Sequence, residues 1–316
     1  MILLTGGLGF IGSHTTRALL DHGESCVLAQ RRAEFEAPLF PDEIGKRVQI
    51  EQVDVTDREA LLSLGDKHHI TGIVHLAGSF FGDPVADARA NSTGLLNLVD
   101  AARAWGVQRI GVASTIGVYR GGVNPLREDQ PLPLTVHHDI EAAKKIYEIL
   151  VSQLRAATGI EMYCARIGAI WGPLGRTASR FFAVPQLIHA AVAGTPVDVS
   201  TLPGGAMPYE NDGMDLLYAR DCGRALASLQ LAERLEHGVY NVSGGRLTTY
   251  REIANGLATA VPGHETRLTP GDNPNPRFPA LWLDISRLHR DTGYEPSYDA
   301  TQAVADYVDW IQRRSR

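Results

Sequence analysis

Residues 5–12 read Thr5-Gly6-Gly7-Leu8-Gly9-Phe10-Ile11-Gly12 and follow the short apolar run Ile2-Leu3-Leu4. A helical pattern continues from about Ile11 to His22. Strand, glycine turn and helix, in that order, form the context in which a G-x-x-G-x-x-G spacing cradles a dinucleotide. Gly6 permits the tight turn, Gly9 lets the backbone approach a pyrophosphate, and Gly12 lets helix and strand pack closely. The unpaired N–H groups at the helix start, around Phe10 and Ile11, then face the anion.

Outward from that turn, short β-branched runs alternate with helical patterns. Cys26–Ala29, Arg47–Val53, Ile73–Leu76, Ile110–Ala113 and Glu161–Ile167 read as further strands. Helices are expected from about Val85 to Trp105 and from about Asp139 to Ala157. Regular alternation with crossovers of this length means an α/β fold, a doubly wound parallel sheet with helices on both faces. After about Pro173 the rhythm changes, and Thr201–Gly213 and Pro262–Pro279 are rich in Gly and Pro. A helix over Asp221–Leu235 and a strand over Val239–Val242 return to the sheet. The expected division is a dinucleotide-binding domain of residues 1–170 and 214–243. A smaller, discontinuous substrate-binding region, residues 171–213 and 244–316, would cap the sheet's carboxyl edge.

Composition bounds the function. Hydrophobic residues make up 44% of the 316 and charged residues 21%, which excludes a mainly disordered or collagen-like chain. No apolar run approaches about 18 residues, so no transmembrane helix and no membrane partner are expected. The opening Met1–Gly7 has no basic n-region, which argues against a signal peptide. Cys26, Cys164 and Cys222 are scattered without ligand or pairing spacing. No metal site or disulfide framework is expected, and a reducing cytoplasm fits. A net charge of −6 supplies no general reason to bind nucleic acid.

An acid normally ends the second strand of a dinucleotide domain, where it holds the ribose of NAD. Here the chain reads Ala29-Gln30-Arg31-Arg32, with no acid until Glu34. Two guanidiniums at that place could clasp a 2′-phosphate, which favours NADP, with NAD the alternative. A pair of solvated loop charges is the plain reading of the same residues. Asp54-Val55 is placed to meet the adenine edge, and His75-Leu76-Ala77-Gly78 to floor the pocket. His75 itself reads as a core histidine rather than a catalyst.

With these residues in view, the chain resembles an extended short-chain dehydrogenase/reductase of the NAD-dependent epimerase/dehydratase kind. The resemblance covers nearly the whole length, from Thr5–Gly12 through Asn91–Asn97, Ala113–Tyr119, Glu128–Pro131 and Arg166–Pro173 to Tyr218–Asp221 and Tyr240–Val242. It implies a Rossmann-type sheet with a smaller substrate-binding region. It also implies a Ser or Thr, a Tyr and a Lys working beside the nicotinamide. Thr115, four residues before Tyr119, matches the hydroxyl position, with Ser114 its neighbour or understudy. Lys144, four residues before Glu148, matches the ribose-holding Lys. The Tyr should stand four residues before Lys144, and that residue is Ile140. His137, His138, Asp139, Glu141 and Tyr119 are the titratable groups near the gap.

Two other departures concern substrate. Enzymes of this family that act on sugar nucleotides commonly carry an Asn where Ala169 stands and an Arg where Met214 stands. Arg176, Arg180 and Arg277 could supply an anion grip instead. The expected function is therefore an NAD(P)-dependent oxidoreductase or epimerase/dehydratase with an atypical proton donor. Its substrate would be a carbonyl/hydroxyl pair on a sugar-like or biosynthetic small molecule. A catalytically silent dinucleotide-binding sensor or scaffold, and a non-redox elimination or cyclisation, are the competing readings. The resemblance also implies a homodimer through the helices near 85–105 and 139–157.

Overall fold

Buried β-branched and aliphatic runs become strands here, and the amphipathic stretches between them become the helices that cover them. The computed structural model describes residues 1–80, 82–202, 205–276 and 280–314, so Arg277 lies outside the described residues. Along the chain come β1 (Ile2–Thr5), α1 (Phe10–Asp21), β2 (Cys26–Gln30), β3 (Val48–Gln52), α2 (Arg58–Leu62), α3 (Leu64–Lys67) and β4 (Gly72–His75). Next are α4 (Pro84–Trp105), β5 (Arg109–Thr115), α5 (Asp139–Thr158), β6 (Glu161–Ile167) and β7 (Ala169–Trp171). They lead to α6 (Val184–Ala193), β8 (Gly213–Met214), β9 (Leu216–Tyr218), α7 (Ala219–Leu231), β10 (Val239–Val242) and β11 (Thr248–Thr249). The helices α8 (Tyr250–Ala260), α9 (Ser286–Thr292) and α10 (Ala300–Arg314) follow.

Seven strands pair in parallel in the order β10-β6-β5-β4-β1-β2-β3. The order reverses between β1 and β4, so the crevice beyond their carboxyl ends is the topological switch point. One face of the sheet packs Leu95, Leu98 and Val99 of α4 with Tyr147 and Val151 of α5. The other packs Leu19 and Leu20 of α1 against β1 and β2, and Leu226 and Leu229 of α7 against β6 and β10. Each fully buried Leu in such a core contributes roughly 1.5–3 kcal/mol relative to exposure. The expected Asp221–Leu235 helix begins earlier, at Ala219, and ends at Leu231, because Ala232 turns to extended backbone.

A separate apolar cluster joins α6, α8 and α10 through Leu187, Ile253, Leu257, Val304 and Tyr307. Trp171, Leu216 and Tyr218 of the small parallel pair β7–β9 belong to it. Two buried polar residues tie this part to the sheet. The Asp215 carboxylate accepts from Leu283 N at 2.7 Å and Gly244 N at 3.1 Å. Asn241, on β10, donates from Nδ2 to Leu126 O and Asp284 O, both at 2.9 Å. These bonds fasten the segments around Leu126, Gly244 and Leu283–Asp284 to β10 and to the link between β8 and β9.

Candidate active site

The turn after β1 is closed by its own backbone. Gly9 N donates to Gly6 O at 2.9 Å, and Gly6 sits at φ +72°. A Cβ on Gly6 would stand 3.0 Å from Ala77 N, and one on Gly12 would run into Gly6 O and lie 2.7 Å from Gly7 Cα. The loop therefore passes directly under β4 and leaves no room for a side chain at either position. Gly9 caps α1 without a side-chain hydrogen bond, and the first turn of α1 carries no acid. Its orphan N–H groups and the helix dipole together suit a pyrophosphate. Phe10 and Ile11 are half-buried at that turn. Across the switch point, Thr5 Oγ1 bonds His75 Nδ1 at 2.7 Å and accepts from Ala77 N at 3.2 Å. These contacts set Leu76 and Ala77 beside the glycine loop, with Gly78 exposed beyond them. Burial and the nearby Lys144 charge lower the His75 pKa to about 3, so the ring is a neutral core element.

At the adenosine end, β2 stops at Gln30, and Arg31 and Arg32 are both exposed. Neither arginine makes an ion pair among the described residues. Asp54 accepts from Thr56 N at 2.9 Å and Thr56 Oγ1 at 2.8 Å, a local turn that leaves its other oxygen free. Val55 lies against Gly94 of α4, and its carbonyl accepts from Asn97 Nδ2 at 2.9 Å.

At the reacting end, two adjacent residues of β5 have different fates. Ser114 is buried and donates to Glu148 Oε1 at 2.6 Å, while Glu148 is paired bidentately with Arg166 at 2.7 and 2.9 Å. Strand alternation turns Thr115 to the opposite face. Its Oγ1 accepts from Gly117 N at 3.2 Å, which leaves the hydroxyl hydrogen available to another acceptor. The two lysines of α5 differ as sharply. Lys145 Nζ donates to Pro133 O, Thr135 O and Glu141 Oε1 at 2.6, 2.8 and 2.9 Å. Lys144 is 6% exposed and has no carboxylate partner among the described residues; Tyr147 and Phe80 present ring faces at 4.7 and 5.5 Å. Burial lowers its pKa to about 8. Of the two, only Lys144 is free for a ligand.

The groups around Ile140 sort just as clearly. Tyr119 is buried, donates to Asn241 Oδ1 at 2.8 Å and lies under the Arg166 guanidinium; burial pushes its phenol up to about 12. Glu141 is fully buried, and although burial opposes its ionisation, hydrogen bonds from Lys145 and His137 N hold the carboxyl below its usual range. His137, His138 and Asp139 are exposed, and Ile140 is half-buried.

Sequence reasoning gave no role to the residues that pin the loop after β4. Asn91 of α4 exchanges hydrogen bonds with Ser79 N and O, both at 2.8 Å, and Asp87 holds Ser79 Oγ and Gly82 N. Asn91 stood in the Asn91–Asn97 motif, which was the available signal. Arg176 and Arg180 are exposed and without ion pairs among the described residues. A cavity of about 430 Å³ lies elsewhere, between Trp171, Tyr218, Arg246 and Tyr298, and none of the residues named for cofactor or chemistry lines it.

The model of the NAD dependent epimerase/dehydratase family matches residues 2–243. The chain belongs to that family. Over 318 residues it is 26% identical to a UDP-glucose 4-epimerase of Azospirillum brasilense, covering 96% of this chain and 89% of that one. It is 24% identical over 323 residues to a UDP-glucuronate 4-epimerase of Thermodesulfobacterium geofontis, covering 98% and 95%. Among solved structures, the Thermus thermophilus UDP-glucose 4-epimerase in complex with NAD superposes with a TM-score of 0.76 at 25% identity, with 98% of each chain covered. The Thermotoga maritima UDP-glucose 4-epimerase with UDP-glucose reaches 0.80 at 19% identity and shares the fold. Family membership makes this chain an enzyme of the NAD-dependent epimerase/dehydratase type. No helix among the described residues is long and apolar enough to cross a membrane, and no group of acids, His and Cys there could hold a metal ion.

Proposed function

We propose that the protein interconverts the configuration of a secondary hydroxyl carbon on a nucleotide sugar, with Thr115 and Lys144 as its working side chains. The observation that carries this reading is Lys144, a buried ammonium kept without a carboxylate partner at the switch point. Burying an unpaired cation costs stability, which makes sense where a ligand supplies its partner. The dinucleotide, when bound, takes up and returns hydride at nicotinamide C4. Lys144 would hold the ribose, and the Thr115 hydroxyl would bond the substrate oxygen. Arg176 and Arg180, exposed and without ion pairs among the described residues, are available for a diphosphate, where Met214 stands in the place of the family's common Arg. The relatives' names, UDP-glucose and UDP-glucuronate 4-epimerases, support UDP-hexoses as the first substrates to try. Mixed with UDP-glucose, the protein should form the C4 epimer with no net change in nicotinamide absorbance. Thr115→Ala should slow that conversion about 100-fold; an unchanged rate would overturn the assignment.

At the adenosine end, Gln30 in place of an acid and the unpaired Arg31 and Arg32 support NADP over NAD. For assembly, exposed Val85 and Leu96 of α4 and Ile146 and Ile149 of α5 support a homodimer through those helices. The apolar cluster of α6, α8 and α10 supports a division into sheet domain and substrate-binding region. Three free, buried cysteines suit a reducing compartment such as the cytoplasm.

A further inference from the structure

With Ile140 where the resemblance expects a Tyr, the substrate oxygen would lack one hydrogen-bond donor, and among the described residues His138 is placed to supply it. Tyr119 and Glu141 are buried and committed to other partners. His138 is exposed, caps α5, and accepts from Glu141 N through Nδ1 at 3.1 Å. The space above Gly117 brings one ring atom of His138, Cε1, near Thr115. A Cβ there would stand 3.6 Å from Thr115 Oγ1 and 4.0 Å from His138 Cε1, so the hydroxyl and the imidazole flank the same small gap.

The cap also fixes what the ring can do. Glu141 N–H can only donate, so Nδ1 must present a lone pair, and the neutral imidazole carries its proton on Nε2. We propose that His138 takes the place of the absent tyrosine as a neutral donor, its Nε2–H and the Thr115 hydroxyl together bonding the substrate oxygen. Its role is to stabilise charge on that oxygen, as a neutral imidazole at a helix N-terminus does elsewhere. The proton that the substrate oxygen exchanges passes to and from solvent water, which reaches this exposed residue. The supporting frame is built into the chain. Lys145 grips Pro133 O and Thr135 O, and Glu141 accepts from His137 N at 3.2 Å, so the segment before α5 is held from inside the helix.

This inference rests on the dinucleotide and carbonyl chemistry proposed above, and its test separates the two. The protein is treated with a histidine-selective acylating reagent, with and without NADH, and acylation at residues 137 and 138 is read by peptide mass spectrometry. NADH should slow modification of His138 and leave its neighbour His137 unchanged. If NADH binds and His138 is acylated as fast as before, the proposal falls while the cofactor reading stands; if neither NADH nor NADPH binds, both fall. A second experiment uses His138→Ser, which keeps a hydroxyl cap for Glu141 N–H and removes the imidazole. With UDP-glucose as probe, it should lose about 100-fold in kcat at unchanged NADH affinity. The double variant His138→Ser with Ile140→Tyr should regain much of that loss. Full activity in His138→Ser would overturn the proposal. Inactivity of the wild-type protein toward UDP-glucose would overturn the nucleotide-sugar reading, and the acylation result would then decide the role of His138.

Discussion

The turn that opens α1 and the turn that opens α5 both lie at the carboxyl edge of the sheet, and they are built on opposite rules. At α1, Gly9 caps without a side chain and no acid stands in the first turn, so the helix N-terminus is left for an incoming anion. At α5 the chain satisfies itself: His138 caps Glu141 N, and Asp139 and Glu141 occupy the first turn. The first turn keeps the family's spacing because its glycines are demanded by backbone contacts that no other residue can make. At the second, Ile140 stands where the family resemblance expects a Tyr, and the proposal above rests on the fact that a side chain's donor, unlike a missing Cβ, can come from a neighbouring position.

The largest expected effect breaks the first turn. Gly12→Val places a branched side chain where a Cβ alone meets Gly6 O and Gly7 Cα. It should cost about 1–3 kcal/mol in chemical denaturation and remove measurable NADH binding. Normal binding would mean that the helix and strand do not need their close approach.

Lys144 sharpens the contrast at the second turn. In the fold it loses its charge near pH 8, against an ordinary 10.5. Below pH 8 the folded state therefore bears a buried cation that the unfolded chain carries at no cost, and that penalty fades as pH rises from 8 to 10.5. Apo Lys144→Met should exceed apo wild type in stability by on the order of 3 kcal/mol at pH 7, with the gap closing toward pH 10.5. The same variant should bind NADH about 10- to 100-fold more weakly. A gap that does not move with pH would show that Lys144 is not the buried cation.

The smallest effect separates two neighbouring hydroxyls. Ser114→Ala should cost about 1–3 kcal/mol, because Glu148 loses a buried donor, and should leave kcat close to wild type. A large loss of kcat would move the hydroxyl role from Thr115 to Ser114.

The sheet was legible because its strands are buried on both faces and read as unbroken apolar runs, Ile2–Leu4 and Cys26–Ala29 among them. The glycine turn was legible because steric demand leaves a spacing in the sequence. The short elements after Pro173 were not: β8 and β11 have two residues each, too few for any periodicity. Within the site, Lys144 could be told from Lys145 only through the family's spacing to Glu148. The physical distinction between them, three hydrogen-bond acceptors for Lys145 against ring faces alone for Lys144 among the described residues, depends on the path of residues 133–135. Ser114 and Thr115 look equivalent as a dipeptide, and strand alternation around Glu148 is what separates them.

Titration calorimetry of the nucleotide-stripped protein with NADH and, in parallel, NADPH tests the account most directly. Both should bind, with NADPH about 10-fold tighter through Arg31 and Arg32, and that preference should vanish when both arginines are replaced by Ala. Failure of both cofactors to bind would contradict the dinucleotide reading of Thr5–Gly12 and the function built on it.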